Sequence, residues 1–308
     1  MPISVGVVGT GWVGASVAIS TLHAGFASEL LLADARHEVA EGEAMDLAHG
    51  ASFYTTATVR AVSVDQMLST DALVVAAGRG GKAGESRLDL LRDNAKILRD
   101  LGTKLRGYEG LVVVVTNPVD VLTHVLTESS GLPPERVMGT GTMLDTARLR
   151  HLVGNELGLD PRSVHAQVVG EHGDSEVVLW SSAEAGGLPL RRWAGWDGAR
   201  EARIGEAVRK AAYEIIRRKG VTNHAIGLVT ATLLRWMLRG ERRIVTVSRV
   251  QTGAAGIADV ALSLPALVGP GGATQIVVPA METVELDRLR RSAAVIRDAL
   301  HALSAQPR

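Results

Sequence analysis

The first half of the chain alternates short apolar runs with longer amphipathic ones. Four runs lack polar alternation and are rich in β-formers: Ile3–Val8, Leu30–Ala33, Ala72–Ala76 and Leu111–Val115. Helix-like stretches lie between them, at Val13–Ala24, Val39–Leu47 and Leu88–Leu105. Strands without alternation are typical of sheets buried on both faces, and strand–helix alternation is typical of βαβ units. This half therefore predicts an α/β fold with a doubly wound parallel sheet of the Rossmann type.

The second half has longer helices and more scattered strands. Helices are predicted at Leu144–Leu157, Ala199–Lys219, Asn223–Leu238 and Glu282–Leu303, and strands at Val164–Val169, Ile244–Val250 and Gln275–Val278. No repeat or low-complexity linker separates the halves, so the boundary is tight. We place it at Gly141, which predicts a Rossmann domain over residues 1–141 and an α+β domain over residues 142–308.

Composition excludes several classes of function. The 33 basic and 33 acidic residues cancel, so the chain lacks a global basic field for nucleic acid or an anionic membrane. Because cysteine is absent, disulfides, iron–sulfur clusters and thiol nucleophiles are excluded. The nine histidines form no zinc-binding HExxH motif, and we expect no metal. Residues 1–28 lack charged side chains, but they have neither a basic start nor a long glycine-free apolar run, so we expect a soluble, cytoplasmic protein.

A glycine-rich turn follows the first predicted strand. The segment Gly9–Gly14 reads GTGWVG and opens a predicted helix. Gly9 would allow the tight turn, Gly11 would let the backbone approach a pyrophosphate, and Gly14 would permit close packing of helix on strand. The turn predicts a dinucleotide site, although an ordinary turn is the alternative.

An acidic residue supports the dinucleotide interpretation. Asp34 follows the second predicted strand, 20 residues after Gly14. A carboxylate there accepts hydrogen bonds from ribose hydroxyls and repels a 2′-phosphate, which favours NAD over NADP despite the nearby Arg36. The segment Gly78–Gly84 is also glycine-rich, but no Ser or Thr follows Lys82, so a P-loop is excluded.

The candidate proton-transfer residue is His172, in the segment Gly170–Ser175 (GEHGDS), because histidine exchanges protons near neutral pH. Asp145 and Arg148 lie three residues apart and share one helix face. They could form an ordinary ion pair, or Asp145 could orient His172 while Arg148 binds a substrate carboxylate. Asn117 follows a predicted strand, where ligands of doubly wound sheets gather, but it could equally cap a turn.

These segments together resemble the lactate and malate dehydrogenase family from Ile3 to about Leu303. The matching pieces, in order, are GTGWVG (Gly9–Gly14), Asp34, GESR (Gly84–Arg87), TNPVD (Thr116–Asp120), GTGTMLDTAR (Gly139–Arg148) and GEHGDSE (Gly170–Glu176). The resemblance implies an NAD-dependent enzyme that transfers a hydride between the cofactor and a small 2-hydroxy or 2-oxo acid.

The resemblance also implies roles for individual residues. His172 corresponds to the proton donor and acceptor, Asp145 to its orienting partner, and Arg148 to the anchor of the substrate carboxylate. Arg87, which follows a mobile loop from Gly78 to Glu85, corresponds to the arginine that polarises the reacting carbonyl. Taken alone, Arg87 could be a solvated charge at a helix start.

Further positions complete the implied sites. Asn117 corresponds to an asparagine near the nicotinamide and the carbonyl, and Thr222 to a substrate-pocket threonine usual in the lactate branch. The implied cofactor-binding residues are Gly9, Gly11, Trp12, Val13, Gly14, Asp34, Gly78 and Asn117.

The chain departs from the family at the position that selects the substrate. Gly81, six residues before Arg87, replaces the glutamine usual in lactate enzymes and the arginine usual in malate enzymes. A larger apolar substrate could then be accepted, or Arg79 or Lys82 could reach inward and bind a second carboxylate. Thr222 and the GEHGDSE segment favour L-lactate; malate and a broad range of L-2-hydroxy acids are the alternatives.

A second resemblance concerns regulation. Arg150 and His165 match the residues that bind fructose 1,6-bisphosphate between subunits of allosteric bacterial lactate dehydrogenases. A surface arginine and a histidine at a strand start are the alternative. The family implies a homotetramer or a homodimer.

Two other classes of protein would need sequence features that differ from those of this chain. A non-catalytic NAD-binding redox sensor predicts a broken catalytic set, whereas His172, Asp145, Arg148 and Arg87 are all present. A short-chain alcohol dehydrogenase needs a Tyr-x-x-x-Lys pair, and no tyrosine of this chain has a lysine four residues on.

Overall fold

The computed structural model describes residues 2–81 and 84–305. Its first half follows the predicted strand–helix alternation. The elements are β1 (Ser4–Val8), α1 (Trp12–Ala24), β2 (Glu29–Ala33), α2 (His37–His49), β3 (Thr58–Ala61), β4 (Ala72–Val75), α3 (Arg87–Lys104), β5 (Leu111–Val114), α4 (Val119–Ser130) and β6 (Val137–Gly139).

The second half combines four helices with eight strands in the described chain. The elements are α5 (Met143–Leu157), β7 (Val164–His165), β8 (Val168–Val169), β9 (Val177–Val178), β10 (Glu184–Ala185), β11 (Leu188–Pro189), α6 (Gly198–Lys219), α7 (His224–Leu238), β12 (Arg243–Thr252), β13 (Ala258–Gly269), β14 (Gly272–Ile276) and α8 (Thr283–Ser304).

One nine-stranded sheet runs through both halves, in the order β14-β13-β12-β6-β5-β4-β1-β2-β3. The six strands of the first half are parallel, and the sheet continues into the second half through an antiparallel contact between Ser248 of β12 and Gly139 of β6. The chain leaves β1 in one direction towards β2 and returns on its other side with β4. Ligands bind at the carboxyl ends of strands at such a switch point. The predicted fold class is confirmed.

Burial explains the apolar runs of the first half. Val5 and Val7 of β1, Leu30 of β2 and Val74 of β4 are completely buried, since helices cover both faces of the sheet. The second half also contacts α1 directly, where the Asn223 side-chain amide donates to the Ser16 hydroxyl at 2.9 Å. None of the helices in the described residues is long and apolar enough to cross a membrane.

Several elements differ from the sequence prediction, among them the short strands β3, β6 and β9 to β11, which were not predicted. The predicted strand Val164–Val169 is two short strands in different sheets, and the carbonyl of Ala166 between them accepts a bond from Arg150 Nε at 3.1 Å. Helix α4 was not predicted; it is buried on most sides and rich in the β-branched residues valine and threonine, which favour strands. Strand β13 was also missed; it contains Pro265, which ordinarily argues against a strand. The domain boundary at Gly141 stays a prediction.

Candidate active site

The turn after β1 has the geometry of a phosphate-binding loop. Gly9 has φ +94°, and a Cβ there would lie 2.5 Å from the backbone nitrogen of Ala77. A Cβ on Gly14 would lie 1.8 Å from the Gly9 carbonyl oxygen. A Cβ on Gly11 would meet no described atom within 4 Å, and α1 begins there without a side-chain cap. The loop therefore presents open space and free N–H groups of a helix start, which suit a pyrophosphate.

Asp34 lies beside this turn at the end of β2. Its carboxylate accepts backbone bonds from Thr10 at 2.9 Å and from Arg36 at 3.1 Å. Burial raises the pKa of Asp34, but these bonds outweigh burial and lower it overall. The ionised carboxylate of Asp34 therefore lies next to the turn that suits a pyrophosphate, where it could accept hydrogen bonds from ribose hydroxyls. These residues fit a dinucleotide.

The remaining predicted cofactor residues lie near the same edge of the sheet. Trp12 starts α1 and its side chain is largely exposed, while Val13 is half-buried. Gly78 follows β4, and a Cβ there would lie 2.6 Å from the Thr116 methyl group. The loop backbone at Gly78 is therefore closely packed against the end of β5.

The structure brings His172, Asp145 and Arg148 into one hydrogen-bonded cluster. Asp145 Oδ2 lies 2.5 Å from His172 Nδ1, and Asp145 Oδ1 accepts a bond from Arg148 Nη1 at 2.7 Å. Asp145 is in the first turn of α5, and its side chain is only 3% exposed. One buried carboxylate thus holds both cations in place. Because Nδ1 faces Asp145, Nε2 is left for proton transfer.

The electrostatics of the cluster favour its charged forms. Burial lowers the pKa of His172, but the Asp145 carboxylate opposes burial and raises that pKa to about 9. Burial likewise raises the pKa of Asp145, while His172 and Arg148 lower it overall. At neutral pH, His172 is therefore protonated and Asp145 ionised, so the imidazole can donate a proton.

Asp120 fixes the backbone of the candidate catalytic loop, Gly170–Glu176. The His172 backbone N–H donates to Asp120 Oδ2 at 2.6 Å, from the first turn of α4. Complete burial raises the pKa of Asp120 to about 6, although the His172 N–H and the imidazole charge act against burial. Asp120 lies in the TNPVD segment, but no role could be predicted for it, because its partner His172 is 52 residues away in the chain.

Five of the predicted residues line one cavity of about 710 Å³: Arg87, Asn117, Asp145, Arg148 and His172. Apolar side chains line it too, including Leu90, Leu91, Ile216 and Val295. Asn117 also accepts a bond from the Val119 backbone N–H at 3.3 Å, so it caps a turn as well as facing the cavity. A small organic acid in this cavity would therefore meet both cationic and apolar side chains.

Two predicted substrate residues do not line this cavity in the described structure. Thr222 lies half-buried in the turn between α6 and α7. Gly81 is exposed in the loop before α3, and a Cβ there would lie 3.4 Å from Leu90 Cδ2. Gly81 therefore lies behind Leu90, which lines the cavity.

The mouth of the cavity joins three elements. Arg87 is exposed at the start of α3, whose N-cap Ser86 accepts a bond from the Asp89 N–H at 3.1 Å. Tyr213 of α6 donates its hydroxyl to Asp174 of the catalytic loop at 3.0 Å. Sequence reasoning did not assign Tyr213, which lies one helical turn from the Arg217–Lys219 charge run on α6.

The Arg79 guanidinium binds two carboxylates, one at the end of its own loop and one on α3. Its guanidinium donates to Glu85 at 2.7 Å and to Asp93 at 2.8 Å. Its backbone N–H donates to Asn94 Oδ1 at 2.9 Å. The guanidinium is therefore tethered to α3 and the end of the loop. Lys82, the other candidate for binding a second carboxylate, lies outside the described residues.

The predicted effector residues lie away from the catalytic cavity. Arg150 is half-buried, donates to the Ala166 carbonyl next to His165, and lines a separate cavity of about 250 Å³ with Met143 and Trp236. His165 is exposed on β7. Arg150 therefore bonds to the backbone of the residue that follows His165 in the chain.

Comparisons with known proteins decide the family. Residues 3–139 match the model of the lactate/malate dehydrogenase NAD binding domain, and residues 142–306 match that of the alpha/beta C-terminal domain. The chain belongs to the lactate/malate dehydrogenase family. It is therefore an NAD-dependent oxidoreductase, which confirms the predicted cofactor and enzyme class.

Similar proteins cover nearly the whole chain. The L-lactate dehydrogenase of Salinibacter ruber is 45% identical, with 96% of each chain covered. That of Thermus aquaticus is 42% identical, covering 98% of this chain and 99% of the relative. A minor L-lactate dehydrogenase from Enterococcus mundtii, solved with ligands bound, superposes with a TM-score of 0.95 at 35% identity, over 100% of this chain and 99% of its own.

Proposed function

We propose that this protein is an L-lactate dehydrogenase, which interconverts pyruvate and L-lactate with NADH and NAD. The observation that carries the proposal is the shared carboxylate of Asp145, which bonds to both His172 and Arg148. A proton donor and a carboxylate-binding guanidinium are thereby held at a separation set by one side chain. A 2-oxo acid needs both groups, one for its carbonyl oxygen and one for its carboxylate.

Each residue has a defined part in the proposed reduction. Bound NADH supplies the hydride. Arg148 binds the substrate carboxylate bidentately, and Nε2 of His172 gives its proton to the carbonyl oxygen. Arg87 stabilises the negative charge that develops on that oxygen when the loop closes and excludes water, and Asn117 lies near the same oxygen. Oxidation of lactate runs in reverse and uses neutral His172 as the base.

The cofactor residues proposed here are those of the glycine turn and its surroundings. The N–H groups at Gly11, Trp12 and Val13 would face the pyrophosphate, while Gly9 and Gly14 make the turn possible. Asp34 would accept the ribose hydroxyls. We place Gly78 at the nicotinamide end of the site, since it follows β4 at the switch point.

The arrangement around Arg79 favours pyruvate over oxaloacetate. A second substrate carboxylate would need a free cation near Gly81, and Arg79 already binds Glu85 and Asp93. The cavity wall next to Gly81 is Leu90, an apolar side chain. Methyl and larger apolar groups fit such a wall, whereas a carboxylate there would be desolvated without a free cationic partner among the described residues. Thr222 would then shape the pocket from the α6–α7 turn.

A substrate panel tests the proposal. NADH oxidation is followed at equal concentrations of pyruvate, oxaloacetate and 2-oxoisocaproate. We expect the highest kcat/KM with pyruvate and measurable turnover of 2-oxoisocaproate. Exclusive turnover of oxaloacetate would assign malate instead, and NADH binding without turnover of any 2-oxo acid would favour the redox sensor.

We further propose a cytoplasmic homotetramer that acts on pyruvate from glycolysis and responds to fructose 1,6-bisphosphate. Arg150 and His165, paired across a two-fold axis, would supply four positive charges to two phosphates. Their neighbouring positions beside Ala166 support this role. Lower KM for pyruvate with the sugar bisphosphate, lost in Arg150→Gln, is the expected result; an unchanged KM contradicts it.

A further inference from the structure

Glu176 is a buried acid at the active site that the proposed reaction does not use. It ends the catalytic loop just before β9, and its N–H donates to the Gly173 carbonyl at 3.2 Å. Its side chain lines the same cavity as His172 and Arg148, and the residue is only 6% exposed. A carboxyl group buried this deeply ordinarily has a partner.

Glu176 lacks a hydrogen-bond partner for one oxygen within the described residues. Its Oε1 is buried and unpartnered, and so is Nε of Arg209, a neighbour on α6 that lines the same cavity. The two side chains therefore lie near each other without the bidentate bond that an ionised carboxylate and a guanidinium would form.

The charged groups around Glu176 come from each element that packs on it. Helix α5 contributes Asp145 and Arg148, α6 contributes Arg209, and its own loop contributes His172 and Asp174. An adjoining cavity that Glu176 also lines carries further charges from α6 and α8, namely Glu201, Glu206, Lys210, Arg288 and Arg291.

Burial determines the protonation of this group. Burial and then the Asp145 carboxylate raise the pKa of Glu176 to about 8, while His172, Arg209 and Arg148 act in the opposite direction. At neutral pH the side chain is therefore mostly a neutral carboxylic acid. It is then a hydrogen-bond donor that adds no charge.

We propose that Glu176 works as a neutral acid and adds no negative charge beside the buried Asp145 carboxylate that holds His172 and Arg148. These three groups then carry one net positive charge, which one substrate carboxylate neutralises. Ionisation of Glu176 would cancel that charge and repel the carboxylate. The inference rests on the proposed function, because it assigns the charge balance of that site.

The KM for pyruvate should therefore depend on the ionisation of Glu176. In the wild type we expect KM to rise about twentyfold from pH 7 to pH 9, because substrate binds only when Glu176 and His172 are both protonated. In Glu176→Gln, which keeps a neutral side chain of the same size, we expect a rise of about twofold from His172 alone. At pH 7, KM and kcat of the variant should stay within about twofold of the wild type, since the charge is unchanged.

Glu206→Gln is the matched control. Glu206 lines the adjoining cavity, is exposed, and pairs with Lys210 at 2.6 Å. Its removal should leave the KM profile of the wild type unchanged. An identical KM profile in wild type and Glu176→Gln would overturn the proposal, and so would loss of pyruvate binding by Glu176→Gln at pH 7.

A direct titration keeps the proposal testable if Glu176→Gln fails to fold. Carbon-13 NMR of the wild-type glutamate carboxyls should show one group that titrates near pH 8, and titration of every glutamate below pH 6 would overturn the proposal. This measurement needs no turnover. Failure of all 2-oxo acids in the activity assay would therefore refute the proposed function without deciding the protonation of Glu176.

Discussion

The nucleotide turn and the catalytic cluster are built differently. At Gly9–Gly14 the backbone forms the site, and a missing Cβ at Gly14 lets the Gly9 carbonyl approach. In the cluster, side chains from α5 and the catalytic loop form the site, and the buried carboxylate of Asp145 holds both cations. The first site depends on shape and the second on charge.

This difference implies two kinds of sensitivity. Added volume should disable the turn while the cluster keeps its chemistry. A change of charge should disable the cluster while the turn still binds NADH. Each prediction below alters one property in one region.

The largest effect is expected from loss of the proton donor. His172→Asn removes the titrating ring but keeps a polar side chain, and we expect kcat for pyruvate reduction to fall by about 10²–10⁴. The NADH dissociation constant, measured from fluorescence, should stay within about twofold, because the turn is untouched. Equal turnover in variant and wild type would remove His172 from the mechanism.

A volume change at the turn should come next. In Gly14→Ala the new Cβ would lie 1.8 Å from the Gly9 carbonyl oxygen, so the turn must shift. We expect NADH to bind at least about tenfold more weakly and the free energy of unfolding to fall by about 1–3 kcal/mol. Gly42→Ala on α2 is the matched control, because its Cβ would meet nothing within 4 Å. Unchanged NADH binding in Gly14→Ala would show that close packing there is dispensable.

The pH profile separates the two directions of the reaction. Reduction needs protonated His172, whose pKa is raised to about 9. The rate of pyruvate reduction should therefore fall about tenfold per pH unit above pH 9. Oxidation of lactate should rise over the same range. The same raised pKa stabilises the fold fully below pH 6.5, and this contribution is lost as the pH rises through about 9. Parallel profiles for both directions would contradict the assignment.

The smallest effect is expected at Arg79. Its ion pairs with Glu85 and Asp93 lie partly exposed on the loop, and such pairs contribute little because water screens them. In Arg79→Gln we expect the ratio of kcat/KM for pyruvate and oxaloacetate to change by less than about threefold. A tenfold loss confined to oxaloacetate would show that Arg79 binds a second carboxylate.

The sequence predicted the elements whose apolar pattern is regular and the residues whose spacing follows from local structure. Strand β1, its glycine turn and Asp34 lie within one βαβ unit, so their arrangement can be read from spacing. Helix α4 and strand β13 escaped prediction, since the β-branched residues of α4 favour a strand and Pro265 argues against one in β13.

Contacts between residues far apart in the chain could not be predicted from the sequence either. Asp120 and His172 meet across 52 residues, and Tyr213 and Asp174 across 39. Nothing in the local sequence specifies such partners. The direction of the Arg79 side chain likewise depends on Asp93, which the helix α3 brings to it.

Titration of His172 by nitrogen-15 NMR tests the central claim most directly, because it reports the charge coupling on which the catalytic cluster depends. In the wild type the account predicts a pKa of about 9, held up by the Asp145 carboxylate against burial. In Asp145→Asn that carboxylate charge is gone and burial remains, so the pKa should fall below the ordinary value of 6.5. The same pKa in both proteins would contradict the account.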